Sequence, residues 1–128
     1  MITIYCDGAS KGNPGPASIG VSGKSGNDEI FTISVAIGRK TNNEAEWASL
    51  KAGIEKAIEL GETELVVYMD SELVVRQVTG VYKTKMSHLK KFKEETQNLI
   101  KNFKLFTIKH IPREKNSRAD ELANLALK

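Results

Sequence analysis

A chain of 128 residues, 40% of them apolar, can bury one substantial core but hardly two. Its formal charge of +3 admits a polyanionic partner without demanding one, a single cysteine excludes an internal disulfide, and His88 and His110 alone leave structural zinc short of ligands. No apolar run approaches the roughly 20 residues of a membrane span, and MITIYCDG has neither a basic leader nor a cleavable apolar stretch, so a cytoplasmic chain is expected.

The predicted elements begin with a strand over residues 2–7, where Ile2, Ile4 and Cys6 alternate with Thr3, Tyr5 and Asp7. Asp7 then stands at the strand's far end, because the glycines and prolines of GASKGNPGP force the chain to reverse. Residues 17–23 and 29–38 read as two more strands, joined by the turn-forming GKSGND into an antiparallel meander. A helix opens at TNNEAEW: Thr41 and Asn42 are N-cap types, and Glu44 and Glu46 fall where the helix dipole favours negative charge. Trp47, Leu50, Ile54, Ala57 and Ile58 recur at helical spacing until Gly61 stops the helix. Glu46 precedes Leu50 by one turn, which sets it beside the buried stripe at the end facing the sheet.

Residues 64–69 form a nearly continuous apolar run, of the kind buried on both faces of a sheet, and it ends at Asp70. A short helix over 72–78 follows, then an amphipathic helix over 85–103 with Leu89, Phe92, Leu99, Ile100 and Phe103 inward. Lys83, Lys85, Lys90, Lys91 and Lys93 form a basic run that suits either a polyanion or a solvated helix face. A strand over 105–111 stops at Pro112, and Asn116 or Ser117 can cap a last helix that carries Asp120 in its first turn. Strands in a run, then alternating with helices, imply an α/β fold: a five-stranded mixed sheet, three strands antiparallel and two parallel, with helices on both faces. No composition break or repeat divides residues 1–128, which read as a single domain.

Asp7, Glu46, Asp70 and Asp120 each sit at an element boundary, and two of them end strands expected to be neighbours. If they converge, their charges need a counter-charge, and a hard divalent cation such as magnesium, or manganese in its place, suits an all-oxygen site. A pair of such ions could hold an attacking water and a leaving oxygen for displacement at phosphorus.

The strings DGASKGNPGPASIG, TNNEAE, MDSELVV and IPREKNSRADELANLA, in this order and spacing, resemble the successive motifs of type 1 ribonuclease H across essentially the whole chain. The resemblance implies a ribonuclease H-like fold and a magnesium-dependent endonuclease that hydrolyses the RNA strand of RNA/DNA hybrids, leaving 5′-phosphate and 3′-hydroxyl ends. By motif, Asp7, Glu46, Asp70 and Asp120 match the family's metal-site carboxylates, and Glu44 is left as a dipole partner of the helix. Asn13, Asn42 and Asn43 match minor-groove contacts to the hybrid, where 2′-hydroxyls mark the RNA strand, and Arg39 and Thr41 match a pocket for a DNA phosphate. Such contacts position a duplex without reading its sequence, so little sequence preference is expected. His110 stands where many members have an assisting histidine, but IPREKN replaces a glycine-rich loop after it, and Arg113 could reach the leaving phosphate instead. The tryptophan-containing basic handle of some members is missing, with the lysine run as a reduced version. Duplex RNA is a second candidate substrate, and a monomer is the default. Two rival readings are a DNA-cutting or strand-transfer enzyme of the same fold, and a silent hybrid-binding module.

Overall fold

The computed structural model describes residues 1–80 and 87–127, without the side chains of 87 and 88. Lys83 and Lys85 of the basic run lie outside the described residues. Five strands, β1 (Ile2–Ser10), β2 (Gly15–Ser25), β3 (Asp28–Lys40), β4 (Glu64–Met69) and β5 (Leu105–His110), form one sheet in the order β3-β2-β1-β4-β5. The first three pair antiparallel, and β4 and β5 join parallel to β1, as expected. The helices are α1 (Asn42–Glu59), α2 (Glu72–Val78), α3 (Ser87–Ile100) and α4 (Ser117–Leu125), with a 3-10 turn over Arg113–Lys115.

Strand alternation divides the sheet into two faces. Ile2, Ile4, Cys6, Val21, Leu65, Val67 and Met69 point to one side and close a core with Trp47, Leu50, Ile54 and Ala57 of α1 and with Val74, Val75 and Val78 of α2. The long helix α3 adds Leu89 to this core and is tied to α1 by a Lys51–Glu95 ion pair at 2.8 Å. On the other face α4 packs on β2, where Gly20 leaves room for it: a Cβ there would lie 2.2 Å from the Ala119 carbonyl oxygen. Ser18 and Ser34 donate to the Ala123 and Leu122 carbonyls, which anchors the same helix to β2 and β3.

Three expectations are corrected. The first strand runs on to Ser10, so Asp7 is not its last residue; it still pairs with Gly20 of β2 but lies one position past the last pair with β4. The apolar run of β4 is fully buried on one side only, since Val66 and Tyr68 are half-exposed and Tyr68 stacks on Tyr5 at 5.2 Å. α4 covers the sheet over β2, β1 and β3 rather than over β4, and continuous apolarity could not reveal that. The even alternation read in β3 is broken twice, with Ile30 and Ile37 as extra residues, and bulges of this kind twist an edge strand away from further pairing.

Arg118 of α4 grips Glu29 of β3 in a two-pronged ion pair, Nε to Oε2 at 2.9 Å and Nη2 to Oε1 at 3.0 Å, while the Ser22 hydroxyl also donates to Glu29. These donors pull the Glu29 carboxyl down to about 2 from its usual 4.5. A lowered folded-state value stabilises above 4.5, and the gain is lost as pH falls toward 2. Glu29→Gln is therefore expected to cost up to about 1 kcal/mol at pH 7, because solvent screens the pair, and nothing near pH 2. Urea unfolding of both proteins at the two pH values checks this.

Candidate active site

The carboxyl ends of β1 and β4 lie side by side. Cys6 pairs with Met69, and the next residue of each chain segment is an acid, so strand register alone brings Asp7 next to Asp70. Such carboxyl ends are where open α/β sheets place their chemistry. The third acid arrives on α1, whose first turn crosses Gly8 so tightly that a Cβ there would stand 2.2 Å from the Ala45 carbonyl carbon and 2.4 Å from the Glu46 nitrogen. The Gly8 N–H donates to Glu46 Oε1 and fixes that carboxylate over the strand.

The start of α1 is itself pinned. Thr41 Oγ1 accepts from the Glu44 N–H at 3.1 Å, and Glu44 Oε1 accepts from the Thr41 N–H at 2.9 Å, a reciprocal cap that gives Glu44 a closer task than its dipole alone. Asn13 Oδ1 accepts from the Asn42 N–H at 3.0 Å and ties the β1–β2 turn to the same helix start. Among the expected substrate contacts, then, Asn13, Thr41, Asn42 and Asn43 cluster at this junction. Arg39 is exposed on β3, opposite Pro16.

One oxygen from each of Asp7, Glu46 and Asp70 falls within 4.8 Å of the others. Asp120, in the first turn of α4, stands outside that closest group but lines the same cleft of about 430 Å³, together with Asn42 and Arg113. Burial drives the Asp7 carboxyl well above the usual carboxylate range, and the charges of Glu46 and Asp70 push it further. Glu46 rises for the same reason, against the opposing pull of the Gly8 N–H. Asp70 also rises through burial, with the Arg113 guanidinium working the other way. Burial and mutual repulsion make all three acids harder to ionise, and an all-oxygen donor set of this kind fits a divalent ion such as magnesium.

The two groups expected to assist part company. Arg113 borders the cleft and its charge acts on both Glu46 and Asp70, whereas His110 closes β5, exposed and paired with Met69, and does not line the cleft. Cys6 is completely buried behind the acids, and burial raises its thiol further, which suits a packing role.

Comparison with known proteins bears on the same cleft. A family profile described as reverse transcriptase-like matches residues 5–126. The structure of RNase H1 from the halophilic archaeon Halobacterium salinarum superposes with a TM-score of 0.96 at 40% identity, covering 98% of this chain and 96% of that one. The chain belongs to the type 1 ribonuclease H family. Another ribonuclease H structure, LC11-RNase H1 in complex with an RNA/DNA hybrid, superposes with a TM-score of 0.93 at 42% identity over 98% of this chain and 96% of its own. A bifunctional protein of Mycobacterium tuberculosis is 43% identical over 98% of this chain, which spans 35% of that relative's length. No helix among the described residues of this ribonuclease H fold is long and apolar enough to cross a membrane.

Sequence reasoning missed two residues that shape the site. Gly8 was legible only as part of a turn, although a glycine directly after a strand-end acid is also the signal for a close backbone approach. In sequence Asn116, like Ser117, has a sufficient role as a helix cap. It occupies the N-cap position of α4, but its side chain makes no capping bond and turns inward.

Proposed function

We propose that this chain is a metal-dependent endoribonuclease that hydrolyses the RNA strand of RNA/DNA hybrids with little sequence preference, leaving 5′-phosphate and 3′-hydroxyl ends. The observation that carries the reading is the meeting of Asp7, Glu46 and Asp70 oxygens within 4.8 Å, at the floor of a cleft that Asp120 also lines. Membership of the ribonuclease H family and the hybrid bound by LC11-RNase H1 support the choice of substrate.

In this reading Asp7, Glu46, Asp70 and Asp120 hold two magnesium ions, for which manganese can substitute. When bound, the ions supply an activated water and neutralise charge on the leaving oxygen. The chain's own groups do the rest. Arg113 offers positive charge to the scissile phosphate from the cleft's edge, and its placement favours it over His110 for that task. Thr41 keeps its hydroxyl proton free while its oxygen is taken by the cap, so it can donate to a DNA-strand phosphate beside Arg39. Asn13, Asn42 and Asn43 offer amides to 2′-hydroxyls and base edges in the minor groove, where RNA differs from DNA. Lys90 and Lys91 are exposed on α3 and add backbone contacts that weaken with salt. In this reading the domain acts as a monomer in the cytoplasm.

Labelled 20-base-pair hybrid, duplex RNA and duplex DNA, each with magnesium and with EDTA, test this. Magnesium-dependent cuts in the RNA of the hybrid are expected, duplex RNA being cut more slowly or not at all. Cutting of DNA without hybrid would overturn the reading in favour of a DNA-processing enzyme, and binding without any cutting would favour a silent module.

A further inference from the structure

We propose that Asn116 is a positioning residue for the metal site, a single side-chain amide that keeps the strand end bearing Asp7 in register with Asp70; this rests on the metal-dependent reading above. Asn116 is buried, 1% exposed, and sits where a helix cap belongs. A capping asparagine turns its side-chain oxygen back to the first amides of its own helix. This one accepts no hydrogen bond at Oδ1 from any described residue. It uses its nitrogen instead. Nδ2 donates to the Cys6 carbonyl oxygen at 2.9 Å, across 110 residues of chain, and the same side chain lies beside the Asp70 carboxylate.

Asn116 stands next to three acids, two reached from its side chain and the third only from its backbone. Cys6 is the residue before Asp7 and the last partner of β4, so a bond to its carbonyl fixes the end of β1 from which Asp7 projects. Asp70 follows the last paired residue of β4 and lies beside the same amide. Asp120 is tied through the backbone, its N–H donating to the Asn116 carbonyl oxygen at 3.1 Å in the first bond of α4. Only a short side chain with an NH2 group can serve both the carbonyl and the carboxylate: aspartate and leucine have its shape but no N–H, and serine falls short. An amide that left its own oxygen unpartnered in the interior for no return would be a poor filler, since a buried acceptor without a donor is costly. Orienting partners behind metal ligands commonly govern affinity and turnover to this degree.

The test is Asn116→Ala and the volume-keeping Asn116→Leu, with three readouts. Manganese binding to the protein free of nucleic acid, followed by electron paramagnetic resonance, is expected to weaken roughly 10–100-fold. The kcat for hybrid cleavage should fall in the same range while KM for the hybrid stays within about twofold. In the unaltered protein, the Asn116 side-chain NH2 resonances should shift saturably as magnesium is added, a measurement that needs no variant to fold. Unchanged manganese affinity in a folded variant, or NH2 resonances indifferent to magnesium, overturns the proposal, as does a loss of kcat matched only by a loss of folded protein. If the unaltered protein fails to cut hybrid at all, the functional reading falls, and the two metal titrations still decide the role of Asn116.

Discussion

Asp7→Asn is expected to raise the melting temperature of the metal-free protein while abolishing magnesium-dependent cleavage of hybrid. Burial and the charges of Glu46 and Asp70 lift the Asp7 carboxyl above its unfolded value near 4. Folding therefore takes up protons, and the stability of the metal-free protein declines as pH rises from about 4 through the raised folded-state value. An uncharged side chain of the same shape removes that penalty, worth about 1–3 kcal/mol at pH 8, where the unaltered site is strained most. Magnesium should then stabilise the unaltered protein by mass action and leave the variant nearly unmoved. Thermal melts at pH 5 and pH 8, with EDTA and with magnesium, separate these effects. A variant that melts below the unaltered protein at pH 8 in EDTA would show that Asp7 contributes to folding, contrary to the electrostatics.

The same electrostatics explain why the acids could be found from the sequence. A carboxylate such as Asp70, set directly after an apolar run, has no local reason to be there, and a second, Asp7, ends the neighbouring stretch of alternation. Strand register does the remaining work, because Cys6 opposite Met69 leaves the two acids adjacent. Glu46 was legible from its spacing to Leu50, and Asp120 from the helix start that it shares with Asn116. Asn116 itself was hidden, because an asparagine before a helix has a sufficient local explanation in capping and its true partners lie 110 residues away and in β4's following acid. Likewise, nothing local distinguishes a β4 buried on both faces from one whose Val66 and Tyr68 lie beyond the reach of α4. The bulges at Ile30 and Ile37 depend on a register between β2 and β3 that neither strand specifies alone. Arg113 emerged over His110 only once the 3-10 turn had carried it back toward the cleft.

Gly8→Ala should damage both stability and activity, although it adds one methyl group and leaves every proposed metal ligand in place. The new Cβ would stand 2.2 Å from the Ala45 carbonyl carbon, 2.4 Å from its oxygen and 2.4 Å from the Glu46 nitrogen. These are backbone atoms, which cannot rotate away as a side chain can. The first turn of α1 must therefore lift from β1, taking Glu46 from the Gly8 N–H that holds it and from the oxygens of Asp7 and Asp70. A misplacement of about 1 Å at a site of this kind can cost on the order of 100-fold in rate, and an overpacked backbone contact about 3 kcal/mol or more. Gly53→Ala is the informative control. It adds the same methyl to the same helix, but its nearest neighbours are the Ile4 Cδ1 tip at 2.7 Å and the Cys6 sulfur at 3.2 Å. The isoleucine tip can swing aside, and alanine regains about 0.5–1 kcal/mol of helix preference over glycine, so this variant should stay within about 1–2 kcal/mol of the unaltered protein. Its kcat should survive, because Gly53 lies two turns from Glu46. Urea unfolding and single-turnover cleavage of hybrid, run on both variants, compare them directly. Equal loss of activity in the two would mean that the site depends on the general packing of α1, while a Gly8→Ala protein of normal kcat would show that the close crossing over β1 does not set the position of Glu46.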